Sequence, residues 1–545
     1  MELLLAFVVA LATTAALIPP LTRWAPTLGL TDEPGPRKVH STAVPRVGGL
    51  AMVAGIVLPA FLTLEMSRSI QGLLIGLAVL LVFGLWDDSK SLGYRAKFAG
   101  QVIAVVLCMT VGEVRIDAVI AGIQLPPWAS TVLTFFFLVG VTNAVNLSDG
   151  LDGLAGGMVL LCFSGIALLA AASGNAPVTG LALIEAGAIL GFLRFNTHPA
   201  RVFMGDSGSQ VLGFTAGVLA ILATQNEITA VSGALPLLLL GVPILDTVTV
   251  MLKRLRAGRS PFSADRNHLH HKLLEVGFAH REAVALIYTM QAALLLLAYF
   301  MRFESDVAIT IAFCGFAAVV LGLLRLAAER HWKVRNPDGG GPLAAVARRL
   351  RAALPGSRIP QLALGTMAAC LAAYAATVLG ASKHVGVDVG ALCLGMLIVL
   401  LLLSKWRAER PLQSVERGVA YVSVVLLVYL DQTSVDKTAL FTNLSWMLLG
   451  VTGAAALVRF SLSPTRRFEV TALDLLVVIL ALVLPNLPGS VSLPPQLSAG
   501  IAKAIILLYV VELLLAAELK RPTQRAFLVL TLSVIAARGL FAAST

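Results

Sequence analysis

The chain has 545 residues, of which 58% are hydrophobic and 13% charged, with a mean hydropathy of +0.87. A soluble protein carries about a quarter charged residues, so this composition excludes a large water-soluble globule and makes lipid the solvent for most of the chain. The formal net charge of +11 reads as Lys and Arg gathered in cytoplasmic loops, not as a nucleic-acid surface.

The first predicted element, 2–20, has Glu2 in place of a basic start and carries Arg23 after its apolar run. It is therefore expected to be a retained transmembrane helix with its N-terminus outside, not a signal peptide. Apolar runs suited to about 30 Å of hydrocarbon follow at 46–65, 70–86, 98–112, 129–145, 154–173, 178–195, 209–224, 232–252, 283–301 and 307–327. After a polar stretch they resume at 361–380, 388–404, 417–431, 438–458, 470–487, 499–517 and 525–542. The expected fold is all-α, a polytopic transmembrane helical bundle. About eleven helices lie within 1–330 and about seven within 361–545, joined by a cytoplasmic linker at 331–360. The linker holds the turn-rich run Asn336-Pro337-Asp338-Gly339-Gly340-Gly341.

Basic residues alternate along the chain. Arg37, Lys38 and Arg46 follow the first span, Lys90, Arg95 and Lys97 the third, and Lys253, Arg254, Arg256 and Arg259 the ninth. The intervening loops are short and nearly uncharged, which assigns the first set to the cytoplasm. Cys108, Cys162, Cys314, Cys370 and Cys393 all fall in apolar runs without a CxxC pair, the pattern of small packing residues. No internal repeat marks an inverted-repeat transporter.

Five polar clusters fall in these cytoplasmic loops or at their helix edges. The first joins Asp32-Glu33-Pro34-Gly35-Pro36-Arg37-Lys38-Val39-His40 to Val44-Pro45-Arg46-Val47-Gly48-Gly49. Cations beside glycines suit a phosphate-bearing ligand, and topogenic charges explain them equally well. The second is Trp86-Asp87-Asp88-Ser89, where repulsion and desolvation of paired carboxylates are relieved by a metal or other cation. The third, Asn143 to Leu154, contains Asn143, Asn146, Asp149 and Asp152 between glycines. Hard oxygen ligands on a turning backbone suit Mg²⁺ with phosphate completing its shell. The fourth is Arg194-Phe195-Asn196 followed by Arg201-Val202-Phe203-Met204-Gly205-Asp206-Ser207-Gly208-Ser209. Asp206 offers a metal ligand, and Phe203 either stacks on a nucleobase or simply packs. The fifth, Ser260 to Lys272, places His268, His270 and His271 beside Arg266 and Lys272. With no Cys nearby, imidazoles and cations binding a diphosphate fit better than a zinc site.

Taken in order, DEPGPRKVHSTAVPRVGG, WDD, NAVNLSDGLDGLAGG, FMGDSGS and SPFSADRNHLHHKLL resemble the polyprenyl-phosphate N-acetylhexosamine-1-phosphate transferase family. Any one of these motifs is weak, and the ordered set is specific. The His268-Leu269-His270-His271 pattern resembles the N-acetylhexosamine branch, not the muramoyl-pentapeptide branch with its run of consecutive histidines. The likeness covers about residues 1–327, leaving the C-terminal region without an assigned motif.

The resemblance implies a reaction in which UDP-N-acetylhexosamine and polyprenyl phosphate give a polyprenyl-diphosphate sugar and UMP. It also implies Mg²⁺ (Mn²⁺ substituting), a bacterial inner membrane, a cytoplasmic active site and a role in starting cell-surface glycan synthesis. No nucleic-acid partner is expected, and a homo-oligomer stays open. Asp206, Asp152 and Asp88 are expected to hold metal. Asp87, Asp88, Asp149, Asp152, His270 and His271 are expected to serve the chemistry. Lys38, His40, Asn143, Asn146, Phe203, Arg266 and His268 are expected to bind substrate. A single displacement by the lipid phosphate is expected, with a covalent aspartyl-phosphate route as its competitor. The alternative is a lipid-linked sugar transporter or flippase.

Overall fold

The computed structural model describes residues 2–34, 43–120, 123–225, 231–260, 267–330, 359–382, 385–405, 409–433, 438–462, 495–516 and 521–541. Lys38, His40, Arg266 and the expected span at 470–487 lie outside the described residues. Helices dominate: α1 (Glu2–Trp24), α2 (Gly48–Thr63), α3 (Arg68–Lys90), α4 (Tyr94–Val111), α5 (Pro127–Ser148), α6 (Leu154–Ala172), α7 (Ala176–Asn196) and α8 (Gly205–Thr224). They continue as α9 (Pro236–Leu239), α10 (Gly241–Arg256), α11 (Leu269–Glu275), α12 (His280–Phe300) and α13 (Asp306–Glu329). The C-terminal set is α14 (Ile359–Ala381), α15 (Val387–Lys405), α16 (Glu409–Thr433), α17 (Ala439–Leu462), α18 (Pro495–Ala516) and α19 (Arg521–Phe541). Among the described residues, 10 helices are long and apolar enough to cross a membrane.

Helix α8 is the central post of the first unit. Its apolar stretch is 94% buried, against 11% for the peripheral α13. It packs on α2, α3, α5 and α6, while α7 is seated against α1, α2 and α6. Small residues permit the closest approaches. A side chain at Gly84 of α3 would collide with the Ser207 backbone, and one at Gly49 of α2 with Gly208. The ends of α2 and α3 therefore converge on the first turn of α8.

The single helix expected over 232–252 is divided at Leu240 into α9 and α10. Pro243 has no N–H to donate to the Leu239 carbonyl four residues earlier, so the ladder fails there. Buried Gln291 of α12 fills the gap: its Nε2 donates to Leu239 O at 2.9 Å and its Oε1 accepts Val242 N–H at 3.1 Å.

Among the described residues, strands are confined to two small ladders. Thr31–Asp32 (β1) pairs antiparallel with Val44–Pro45 (β2), and Ala118–Ile120 (β3) with Ile123–Gln124 (β4). The first ladder flanks residues 35–42 and is braced by an Arg46–Asp32 ion pair.

The C-terminal helices bury a second apolar core built on α14 against α17, α15 against α19 and α16 against α18. It meets the first unit where α16 packs on α1 and the Arg194 guanidinium lies 5.1 Å from the centre of the Tyr421 ring. None of Cys108, Cys162, Cys314, Cys370 and Cys393 is in a disulfide.

Candidate active site

Contacts between distant motifs gather one end of α3, α4, α5, α6, α7, α8 and α12, with α11, into a neighbourhood of polar side chains. Asp87 and Asp88, both buried, stand in the last turn of α3. Their side chains diverge. Asp88 Oδ1 accepts Asp206 N–H at 2.9 Å, and Oδ2 accepts Ser207 N–H at 3.1 Å and the Ser207 hydroxyl at 2.7 Å. It thus satisfies amides that the first turn of α8 leaves unpaired, where the helix dipole favours an anion. Asp87 Oδ1 accepts Leu92 N–H at 2.6 Å, while Oδ2 lies 2.7 Å from Lys97 Nζ.

The backbone between these helices is set by Gly205. Its φ of +70° is strained for other residues, and a Cβ there would sit 2.3 Å from Asp88 Oδ2. Asp206 follows in the first turn of α8, pairing with Lys97 and accepting Asn146 Nδ2 at 3.0 Å. Lys97, which the sequence offers only as a topogenic charge, therefore bridges two carboxylates from separate motifs. Asn146 also donates to Ser209 Oγ at 2.7 Å. One turn deeper, Asn143 exchanges hydrogen bonds with Gln101, which donates to Gln210 at 3.1 Å. Asn143 is accordingly part of a packed amide network between α4, α5 and α8.

Asp149 and Asp152 lie in the turn between α5 and α6. Asp149 keeps exposed surface, yet surrounding protein, then the charges of Asp206, Asp152 and Asp88, raise its carboxyl to about 7. With water at its surface, the like-charge part of that rise is what a bound cation reverses. Asp152 faces elsewhere. Its Oδ2 lies 2.7 Å from His198 Nδ1 and accepts Ala200 N–H at 3.1 Å. The stacked rings of His198 and His280, 4.2 Å apart, complete a group of possible metal donors with Asp152. The sequence reading did not single out either histidine.

The turn is tied down from two sides. Asn196 Oδ1 accepts Gly153 N–H at 3.0 Å, and its Nδ2 donates to Val202 O at 3.0 Å. Phe203 runs beside the RVGG segment: its N–H donates to Pro45 O at 2.8 Å and its carbonyl accepts Gly48 N–H at 3.0 Å. The first and fourth motifs are thus joined through backbone.

The HLHH residues open a short helix, α11. His268 and His270 are buried and His271 is half-buried, with the His270 and His271 ring centres 4.2 Å apart. His270 presses on the Gly150 backbone so closely that a Cβ at Gly150 would meet its Nε2 at 2.4 Å. Burial, and then His271, lower the His270 imidazole to about 4, so it is neutral near pH 7. Of the three carboxylates expected to hold metal, Asp206 stands with Asp87 at the Lys97 ammonium. Asp88 is engaged by the start of α8, and Asp152 by His198 and Ala200.

The description "Glycosyl transferase family 4" matches residues 70–224, the stretch carrying Asp87, Lys97, Asn146, Asp149 and Asp206. A relative from Bacillus subtilis (strain 168), named "Probable undecaprenyl-phosphate N-acetylglucosaminyl 1-phosphate transferase", is 35% identical over 293 residues, 53% of this chain and 81% of the relative. A decaprenyl-phosphate N-acetylglucosaminephosphotransferase of Mycobacterium tuberculosis (strain CDC 1551 / Oshkosh) is 38% identical over 303 residues, 49% of this chain and 75% of its own. An undecaprenyl-phosphate alpha-N-acetylglucosaminyl 1-phosphate transferase of Yersinia pestis is 33% identical, covering 49% and 75% of the two chains. With these relatives matched over most of their own length, the chain belongs to the polyprenyl-phosphate N-acetylhexosamine-1-phosphate transferase family, glycosyl transferase family 4.

Proposed function

We propose that this membrane protein transfers N-acetylhexosamine-1-phosphate, with GlcNAc as the sugar, from a UDP-sugar to polyprenyl phosphate. The reaction takes place on the cytoplasmic face of a bacterial inner membrane, releases UMP and starts a cell-surface glycan. One observation carries this reading: Asp87 and Asp206, from two separated motifs, share the Lys97 ammonium, and the Asp206 charge acts on Asp149. A site with paired carboxylates around a cation suits a reaction between two anionic phosphates, where positioning and charge neutralisation supply most of the catalysis. The names of the relatives support the lipid acceptor and the sugar.

Mg²⁺ fits the donor set, because the two carboxylates already converge on a positive charge and oxygen ligands are what Mg²⁺ takes. Asp87 and Asp206 would hold it, while Asp88 holds the start of α8 and Asp152 stands with His198 and His280 as a separate group of possible donors. Bound there, the ion supplies neutralisation of diphosphate charge. The lipid phosphate oxygen attacks the phosphorus bearing the sugar, the bond from that phosphorus to the UMP oxygen breaks, and UMP takes the electron pair. No base is required, since the nucleophile is already an oxyanion. Lys97 receives charge on the phosphates, and neutral His270 with His271 donates hydrogen bonds to the diphosphate.

The test is UMP release by purified protein with polyprenyl phosphate, Mg²⁺ and a panel of UDP-N-acetyl sugars. Formation that requires both lipid and metal supports the transferase, and silence with every donor from folded protein sinks it. A transport role is the second reading, and it draws on the C-terminal unit. There Lys503 Nζ lies 2.6 Å from Asp431 Oδ2 in an apolar bundle, with both residues buried. Ionisable groups in such a setting commonly mark a pathway. Movement of lipid-linked sugar across vesicles containing the protein tests it.

A further inference from the structure

We propose that Asp246 is a positioning residue for the transfer reaction: it fixes His268 and the start of α11, and thereby aims His270 and His271 at the Asp149–Asp152 turn. This inference rests on the transferase reading above.

Asp246 is buried on α10, and both its oxygens reach the same place in the chain. Oδ2 lies 2.9 Å from His268 Nδ1, and Oδ1 accepts Leu269 N–H at 2.7 Å. Leu269 opens α11, whose first amides have no partner inside the helix. Seven residues are too few for a helix to persist by itself. What holds α11 is this carboxylate together with the burial of Leu269 and Leu273.

From there the contacts run directly to the Asp149–Asp152 turn. The His268 ring is nearly parallel to that of His270, with centres 5.9 Å apart, and His270 rests on Gly150 next to Asp149. A tilt of α11 therefore moves His270 and His271 together.

A helix cap alone needs one acceptor, and the second oxygen on the imidazole goes beyond that. An ionised carboxylate at Nδ1 puts the ring proton there and leaves Nε2 as the acceptor. His268, expected from sequence to bind substrate, becomes in this account a strut between Asp246 and the histidines that do.

The experiment compares Asp246→Asn, His268→Gln and the double variant in full-length protein, using steady-state UMP release and nitrogen NMR of histidine-labelled protein. Asn keeps an oxygen for Leu269 N–H but offers the imidazole an N–H in place of an acceptor. The expected result is a kcat lower by about ten- to a hundredfold in each single variant, with the KM for the donor within about threefold. The double variant is expected to be no slower than the slower single. One histidine should change from the Nδ1–H to the Nε2–H tautomer in Asp246→Asn.

Wild-type kcat in His268→Gln, losses that multiply in the double variant, or an unchanged tautomer pattern each overturn the proposal. His268→Gln leaves the α11 cap intact, so it decides the kinetic question even where Asp246→Asn does not fold. If the wild-type protein releases no UMP, the transferase reading fails, while the tautomer measurement still decides whether Asp246 holds His268.

Discussion

Asp88 accepts the backbone N–H of Asp206 at 2.9 Å, so the C-terminal end of α3 grips the first turn of α8. The adjacent Asp87 points instead to Lys97, at 2.7 Å. Two neighbouring aspartates of one motif thus have different partners, one holding a helix and the other pairing with Lys97.

That division predicts separable mutants. Asp88→Ala strips three hydrogen-bond donors of their acceptor and should cost about 3 kcal/mol of stability, lowering the thermal midpoint in detergent. Asp87→Asn should leave the midpoint within a degree or two of wild type while reducing UMP release by about a hundredfold or more. Equal destabilisation by both would remove the distinction.

Gly205→Ala should resemble Asp88→Ala. The new methyl group has a φ of +70° to accommodate and an Asp88 oxygen 2.3 Å away, so α3 and α8 must separate. Poor yield and a lowered midpoint are expected. A variant as stable as wild type would mean that the first turn of α8 relaxes freely.

Lys97 occupies the point between Asp87 and Asp206 that the proposed divalent ion would approach. Removing the ammonium in Lys97→Met should tighten Mn²⁺ binding by about tenfold while abolishing transfer. Weaker Mn²⁺ binding would show that the two carboxylates do not form the metal site. Paramagnetic titration of free Mn²⁺ gives the answer.

Burial and the neighbouring carboxylates push Asp149 up to about 7, so a cation binding beside it displaces a proton below that pH. Mn²⁺ affinity should rise between pH 6 and 8 and then level off. Asp149→Asn should flatten the rise. A slope that survives this substitution places the proton elsewhere.

His270 is held near 4 in the folded protein, against 6.5 as its ordinary value. Between these values the unfolded chain binds the proton and the folded one does not. Stability is therefore retained above 6.5 and lost as the pH falls toward 4. Thermal midpoints should decline between pH 6.5 and 5, and His270→Gln should reduce that decline.

The sequence by itself determined the class of solvent, the helical character and the positions of the five motifs. These follow from apolar run length, charge alternation and local residue chemistry, which are properties of short segments. Even the Leu240 break has a local cause in Pro243, though the repair by Gln291 comes from 52 residues beyond Leu239. Partnership was decided only by tertiary structure. Lys97 looks like any other loop cation until α4 stands against α8, and Asp246 reads as one acid in an apolar helix until α11 returns to it. His198 and His280 are 82 residues apart and meet only because α7 and α12 end beside Asp152. A side chain's partner across a bundle depends on which helix faces pack together, and hydrophobic periodicity leaves that pairing open.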